Sequence, residues 1–244
     1  MRVRLIVEYD GTNYAGWQRQ DNALAVQQVL EEALAKLTRA PVRVAGASRT
    51  DAGVHALGQV LHFDTHCPIP PEKYPFALNP LLPDDIRVLA GDRVPDAFHA
   101  RFDAKGKRYR YLMYDRPHSS ALYRNHCAHS IYPLDTGRMQ REAEAMLGTH
   151  DFAAFAASGS LVKDTVRTVT LCQVRRKEPF VELIIEGTGF LYNMVRILAG
   201  TLMGVGSGKL PPGTIERALR SCNRLSLGVT APPQGLTLLQ VFYE

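Results

Sequence analysis

Asp51 is the residue whose surroundings are most suited to chemistry. It stands in Gly46-Ala47-Ser48-Arg49-Thr50-Asp51-Ala52-Gly53-Val54-His55-Ala56, with a cation two positions before it, a hydroxyl beside it and the small pair Ala52-Gly53 after it. Small residues leave a flat ligand room to reach the carboxylate, while Arg49 can keep it ionised or contact a phosphate. An ionised carboxylate can serve as nucleophile or base. The same residues also fit a Thr-Asp-x-Gly turn in which Asp51 bonds only its own backbone. Apolar alternating runs flank the stretch, Val42–Ala45 before it and Gln59–Phe63 after it, so it joins two expected strands. At roughly ten residues the loop is longer than a hairpin needs, and such ordered loops tend to carry function.

The elements that position this loop follow from periodicity. Val3, Leu5, Val7 and Tyr9 alternate with polar residues, a first strand. Leu24 to Leu37 has helical spacing, with Asp21 or Asn22 near the cap position. The expected strands near Val42–Ala45 and Gln59–Asp64, a short helix from Pro70-Pro71 and a strand near Ile86–Ala90 complete a β-α-β-β-α-β order. The second half repeats the scheme. A strand is expected over Lys107–Tyr114, a helix over Asp135–Leu147, and strands over Thr165–Arg176 and Phe180–Glu186. Helices over Phe190–Met203 and Pro212–Cys222 and a last strand over Leu236–Tyr243 follow. The expected fold is therefore α+β: two pseudo-duplicated ferredoxin-like βαββαβ halves, residues 1–104 and 105–244, sharing one extended, mainly antiparallel sheet with a central active-site cleft.

Four further blocks bear on Asp51. They are Glu8-Tyr9-Asp10-Gly11-Thr12-Asn13-Tyr14-Ala15-Gly16-Trp17-Gln18-Arg19-Gln20, Phe98-His99-Ala100-Arg101-Phe102, Lys107-Arg108-Tyr109-Arg110-Tyr111, and Gly189-Phe190-Leu191-Tyr192-Asn193-Met194-Val195-Arg196. With the Asp51 loop they resemble, in order and across most of the chain, the TruA family of tRNA pseudouridine synthases. That resemblance implies an isomerase converting uridine to pseudouridine at positions 38, 39 and 40 of the tRNA anticodon stem-loop. The reaction breaks the bond from ribose C1′ to base N1, turns the base, and rejoins C1′ to C5, with no cofactor. Asp51 is the expected nucleophile; attack at C1′ or C6 and removal of the C2′ proton all remain open.

The other site residues follow from the resemblance joined to their positions. Arg49 is placed to fill the space left by a flipped nucleotide or to hold its phosphate. On the expected strand Tyr109, Tyr111 and Met113 share one face and Arg108, Arg110 and Leu112 the other, so a base platform adjoins a face that could meet phosphates. By resemblance Tyr109 is the active-site tyrosine, stacking on the base, and its hydroxyl is a candidate acceptor of the C5 proton, although a free phenol ionises only near about pH 10. In the helix expected from Phe190, Tyr192 and Arg196 fall four apart on one face. An arginine there either snorkels to water or pairs with an acid. The resemblance implies that Arg196 meets Asp51, compensating a carboxylate that burial would otherwise neutralise.

Composition narrows the field without deciding it. No apolar run reaches the length of a membrane span and no secretory signal opens the chain, so a cytoplasmic location is expected. Cys67, Cys127, Cys172 and Cys222 form no CxxC pair, which argues against a disulfide framework or zinc ribbon. Neither His126-Cys127-Ala128-His129 nor His62 with His66-Cys67 has a second ligand pair at recognised spacing, so no metal is expected. The net charge of +5 permits a polyanionic partner, and the 22 Arg against 7 Lys suit phosphate forks and base stacking. Gly204–Leu210 hints at a phosphate loop, but Met203 stands where the first glycine belongs and Leu210 where a hydroxyl belongs. The resemblance implies a homodimer. The competing expectation is a non-catalytic RNA-binding protein of tandem ferredoxin-like modules.

Overall fold

The computed structural model describes residues 1–157 and 164–244. The chain is α+β: among the described residues, ten strands belong to one extended sheet and five α-helices accompany them. By internal contacts it divides into two units, Met1–Lys105 with Thr237–Glu244, and Gly106–Leu236. The last strand had been expected within the second half. Its residues group with the first unit because Thr237 and Leu238 pair in parallel with His55 and Ala56.

In the first unit, β1 (Arg2–Tyr9) runs antiparallel to both β3 (His55–Asp64) and β4 (Ile86–Val94), giving the order β4-β1-β3-β10, where β10 is Leu236–Phe242. The alternation of β1 is realised in full: Val3, Leu5, Val7 and Tyr9 are all buried. Helix α1 (Val26–Thr38) packs Leu30, Ala33 and Leu34 into the core. Neither Asp21 nor Asn22 caps it. Its N-cap is Ala25, and its first amides are satisfied by the preceding loop, Val26 N–H donating to the Gly16 carbonyl at 3.2 Å and Gln27 N–H to that of Trp17 at 3.0 Å.

The strand expected over Val42–Ala45 shrinks to β2, Ala45–Gly46. The cause is a competition for backbone groups. Val44 N–H donates to the buried Glu31 carboxylate at 3.1 Å, and its carbonyl accepts from Gln27 Nε2 at 3.1 Å, so α1 takes what a neighbouring strand would use. The expected helix near Pro70 is a short 3₁₀ turn, Pro71–Lys73, leading into α2 (Tyr74–Leu78).

The second unit has the order β5-β9-β8-β7, from β5 (Gly106–Tyr114), β7 (Gly148–Asp151), β8 (Val166–Lys177) and β9 (Phe180–Gly187), all antiparallel neighbours. A two-residue β6 (Ala128–His129) pairs in parallel with β5. Helices α3 (Thr136–Glu144), α4 (Met194–Gly206) and α5 (Thr214–Ser221) accompany this sheet. Asp135 caps α3 by accepting the Arg138 N–H at 2.9 Å.

Helix α4 starts four residues later than its apolar pattern suggested. Asn193 adopts φ 61°, a left-handed conformation that cannot continue a helix backwards. Phe190 and Tyr192 therefore precede the helix, and Tyr192 does not share a helical face with Arg196. At its other end α4 includes Gly204 and Gly206. The glycine-rich stretch is thus helix interior followed by a turn at Gly208, φ 77°, and not a phosphate loop. Among the described residues, no helix is long and apolar enough to cross a membrane.

Candidate active site

The Asp51 loop is built by the chain's first block. Trp17 N–H donates to the Thr50 carbonyl at 3.0 Å and Gly53 N–H to that of Tyr14 at 3.3 Å. The Tyr9 hydroxyl and Thr50 Oγ1 share a buried hydrogen bond of 2.7 Å. Close approach demands glycine here. A Cβ on Gly16, whose φ is 92°, would lie 2.6 Å from the Thr50 carbonyl, and one on Gly46 would lie 2.4 Å from the Trp17 ring.

From the other side β3 grips the loop through Gln59, which is fully buried. Its Oε1 accepts from Ser48 N–H at 3.1 Å and its Nε2 donates to the Ser48 carbonyl at 2.7 Å. Ala47 N–H donates to the Val60 carbonyl at 2.7 Å. Between these fixed points the chain turns at Asp51-Ala52-Gly53-Val54, closed by Val54 N–H donating to the Asp51 carbonyl at 3.1 Å, with Gly53 at φ 75°. The turn is closed by backbone. Asp51 is half-buried and Arg49 exposed, so one loop carries a partly desolvated carboxylate and a solvent-facing guanidinium.

His55 ends the loop. Its Nδ1 lies 3.0 Å from the Gly11 nitrogen and 3.0 Å from Asp10 Oδ1. Asp10 also accepts from the Thr12 amide at 3.0 Å and hydroxyl at 2.5 Å. Tyr14 donates to Asp85 at 2.6 Å; burial and that carboxylate push its phenol well above the ordinary tyrosine range.

In the second unit, β5 keeps the expected alternation, with Tyr109, Tyr111 and Met113 buried. The two tyrosines have different employment. Tyr111 donates its hydroxyl to the Pro232 carbonyl at 2.7 Å, and burial drives its phenol far above the ordinary range. Tyr109 is held edge-on by Phe190, ring centroids 5.3 Å apart at 88°. On the other face Arg108 grips Glu186 through Nε at 2.9 Å and Nη2 at 2.6 Å, whereas Arg110 has a buried Nε without a hydrogen-bond partner among the described residues.

Arg196 lies in the first turn of α4. Its Nε donates to the Ala231 carbonyl at 2.9 Å and its Nη1 to Asn193 Oδ1 at 2.7 Å, while Ala231 N–H donates back to the Arg196 carbonyl at 3.0 Å. The arginine is therefore oriented from two sides. Gly200 lets the 228–231 segment lie against α4, since a Cβ there would sit 1.9 Å from the Val229 carbonyl. Two of the histidines weighed as metal ligands serve the backbone: His62 Nδ1 accepts from Ala100 N–H at 3.1 Å, and His129 Nε2 lies 2.8 Å from the Arg116 carbonyl.

A family model described as tRNA pseudouridine synthase matches residues 5–103 and 143–244. The chain belongs to the tRNA pseudouridine synthase family. It is 51% identical to a protein of Thermoanaerobacter sp. (strain X514) named tRNA pseudouridine synthase A, over 99% of each chain. Proteins of the same name from Acetivibrio thermocellus and Bacillus pumilus are 52% and 46% identical, over 99% and 100% of each chain respectively.

Sequence reasoning missed the residues that hold the Asp51 loop, Gln59 above all. A signal was present: a glutamine at a core position of a strand requires buried hydrogen-bond partners. Asn193 was part of a recognised block, but nothing in periodicity marked it as the residue that ends the loop, starts the helix and aims Arg196.

Proposed function

We propose that this chain isomerises uridine to pseudouridine at positions 38, 39 and 40 of the tRNA anticodon stem-loop. The observation that carries the reading is the Asp51 loop, a half-buried carboxylate on a turn fixed by Tyr9, Trp17, Gln59 and Gly53 in a chain of this family. Rigid presentation matters because a misplaced nucleophile loses most of its advantage. In this reading the target nucleotide leaves the stem, Arg49 fills or braces the vacated space, and Tyr109 stacks on the base. Asp51 acts as nucleophile. The C1′–N1 bond breaks, the C1′–C5 bond forms, C5 loses its proton and N1 gains one, so the isomerisation balances without a redox partner.

Arg196 supplies the cation that keeps Asp51 ionised, and its two-sided orientation by Asn193 and Ala231 suits a fixed charge. Arg110 is a stronger candidate for an RNA phosphate than Arg108, which already holds Glu186. The protein works in the cytoplasm, as a homodimer, without metal. An apolar groove containing the exposed Ile131, Tyr132 and Val229 supports a second copy as partner.

The test is direct. Unmodified tRNA is incubated with pure protein and a chelator, and pseudouridine is sought by mass spectrometry after chemical labelling. Product confined to positions 38–40 supports the proposal, and no product overturns it. RNA binding without product would favour the non-catalytic alternative. Light scattering at micromolar concentration checks the dimer.

A further inference from the structure

The block Phe98–Phe102 plays no part in the chemistry above, yet its construction is deliberate. Phe102 is 75% exposed. A free aromatic side chain at the surface would sample several rotamers, but this one lies on the His99 ring, centroids 4.2 Å apart and planes 31° from parallel. His99 is fixed in turn, its Nδ1 accepting from Arg101 N–H at 3.1 Å and Phe102 N–H at 3.3 Å. Asp103 closes the loop: its carboxylate accepts from His99 N–H at 2.8 Å and its own N–H donates to the His99 carbonyl at 3.1 Å.

The stack reaches the unit's core. His99 packs against His62 at 4.7 Å, and His62, on the strand that leaves the Asp51 loop, accepts from Ala100 N–H. Phe98 packs against His62 at 6.0 Å and Tyr243 at 5.1 Å. The loop thus holds one aromatic face rigidly to solvent, with the Arg101 guanidinium 5.8 Å from the Phe102 ring centroid.

We infer that Phe102, with Arg101, is a stacking platform for one unpaired base of the bound RNA. The inference rests on the reading of the chain as a tRNA-modifying enzyme. A single ring offers far less area than a stable protein interface requires, but it matches the face of one base. Pre-ordering by His99 lowers the entropy lost on stacking, and the neighbouring guanidinium suits a phosphate or a cation–π contact.

The test uses the full chain and unmodified tRNA. Phe102→Ala and Phe102→Leu should each weaken tRNA binding by about 5–100-fold, because both lack a π face. Their melting temperatures should match wild type, as the ring is exposed. Phe102→Trp should retain affinity, and its emission, read against the buried Trp17 of wild type, should be quenched by tRNA. Affinity within twofold of wild type for Phe102→Ala would overturn the platform. So would Phe102→Trp emission that changes with protein concentration in the absence of RNA, which would mark a contact with a second copy. Pseudouridine formation by wild type is scored separately: without it the enzymatic reading falls, while the affinity series still judges the platform.

Discussion

The loop bearing Asp51 and the strand bearing Tyr109 are held by different kinds of force. Around Asp51 the fixed points are hydrogen bonds to partners distant in sequence, from Trp17 and Tyr14 on one side and Gln59 on the other. Tyr109 is placed by the alternation of β5 and its pairing opposite Ile185 on β9, and its ring packs edge-on against Phe190. Directional bonds give a turn a single geometry, and losing one strands a buried partner. Ring packing is more forgiving, because a similar shape refills the space. Nucleophilic attack tolerates little displacement, whereas a stacking surface works over a wider range, and each support suits the role proposed for it.

The largest test of this contrast removes the carboxylate proposed as nucleophile. Asp51→Asn should abolish pseudouridine formation, to below roughly a hundredth of wild type, while tRNA affinity stays within a few-fold in filter binding. Tyr109→Phe should keep the stack and therefore the affinity. If its hydroxyl takes the C5 proton, single-turnover rates should fall by about 10²–10⁴-fold; a normal rate would confine Tyr109 to stacking.

Smaller effects probe the supports. Gln59→Leu removes both hydrogen bonds that Gln59 makes to the Ser48 backbone and should cost about 2–4 kcal/mol in denaturant unfolding. It should lower kcat more than it raises KM. A variant with unchanged stability and kcat would show that the loop holds itself. Arg196→Ala removes bonds to Ala231 and Asn193, with an expected loss of about 2–3 kcal/mol and reduced turnover.

The smallest effect is a pH dependence. Burial, then His99 and Arg2, hold the His62 imidazole below its ordinary value of 6.5. Below that value the unfolded chain binds a proton that folded His62 resists, so stability falls as pH drops from 7 toward 5. His62→Asn retains an acceptor for Ala100 N–H and cannot titrate, so its melting temperature should fall less over that interval.

The two regions also differed in how far their sequence disclosed them. Alternation in β1 and β5 predicts which side chains are buried, because a strand's inward face is a local property of period two. The motif around Asp51 located the loop, but its latches are pairings between distant residues and follow no period. Val42–Ala45 misled for the same reason, since Glu31 and Gln27 claimed the backbone of Val44. At α4 the apolar pattern extended past the true start because Phe190 and Leu191 are apolar for packing, while Asn193 had already broken the helix. The grouping of β10 with the first unit is likewise a pairing at a sequence distance that pattern reading does not reach.

That grouping has a consequence for the order in which the protein is completed. Thr237 and Leu238 flank the first residues of β3, Phe242 accepts from Lys105 N–H at 2.8 Å, and Tyr243 donates to the Ala100 carbonyl at 2.7 Å. During synthesis the strand that follows Asp51 thus waits for residues 237–244, made after the whole second unit. A nascent chain halted before residue 237 carries every candidate catalytic side chain but leaves His55 and Ala56, the first residues of β3, without that neighbour. The start of β3, beside the Asp51 loop, is thereby flanked by β10 only once the whole second unit has been made.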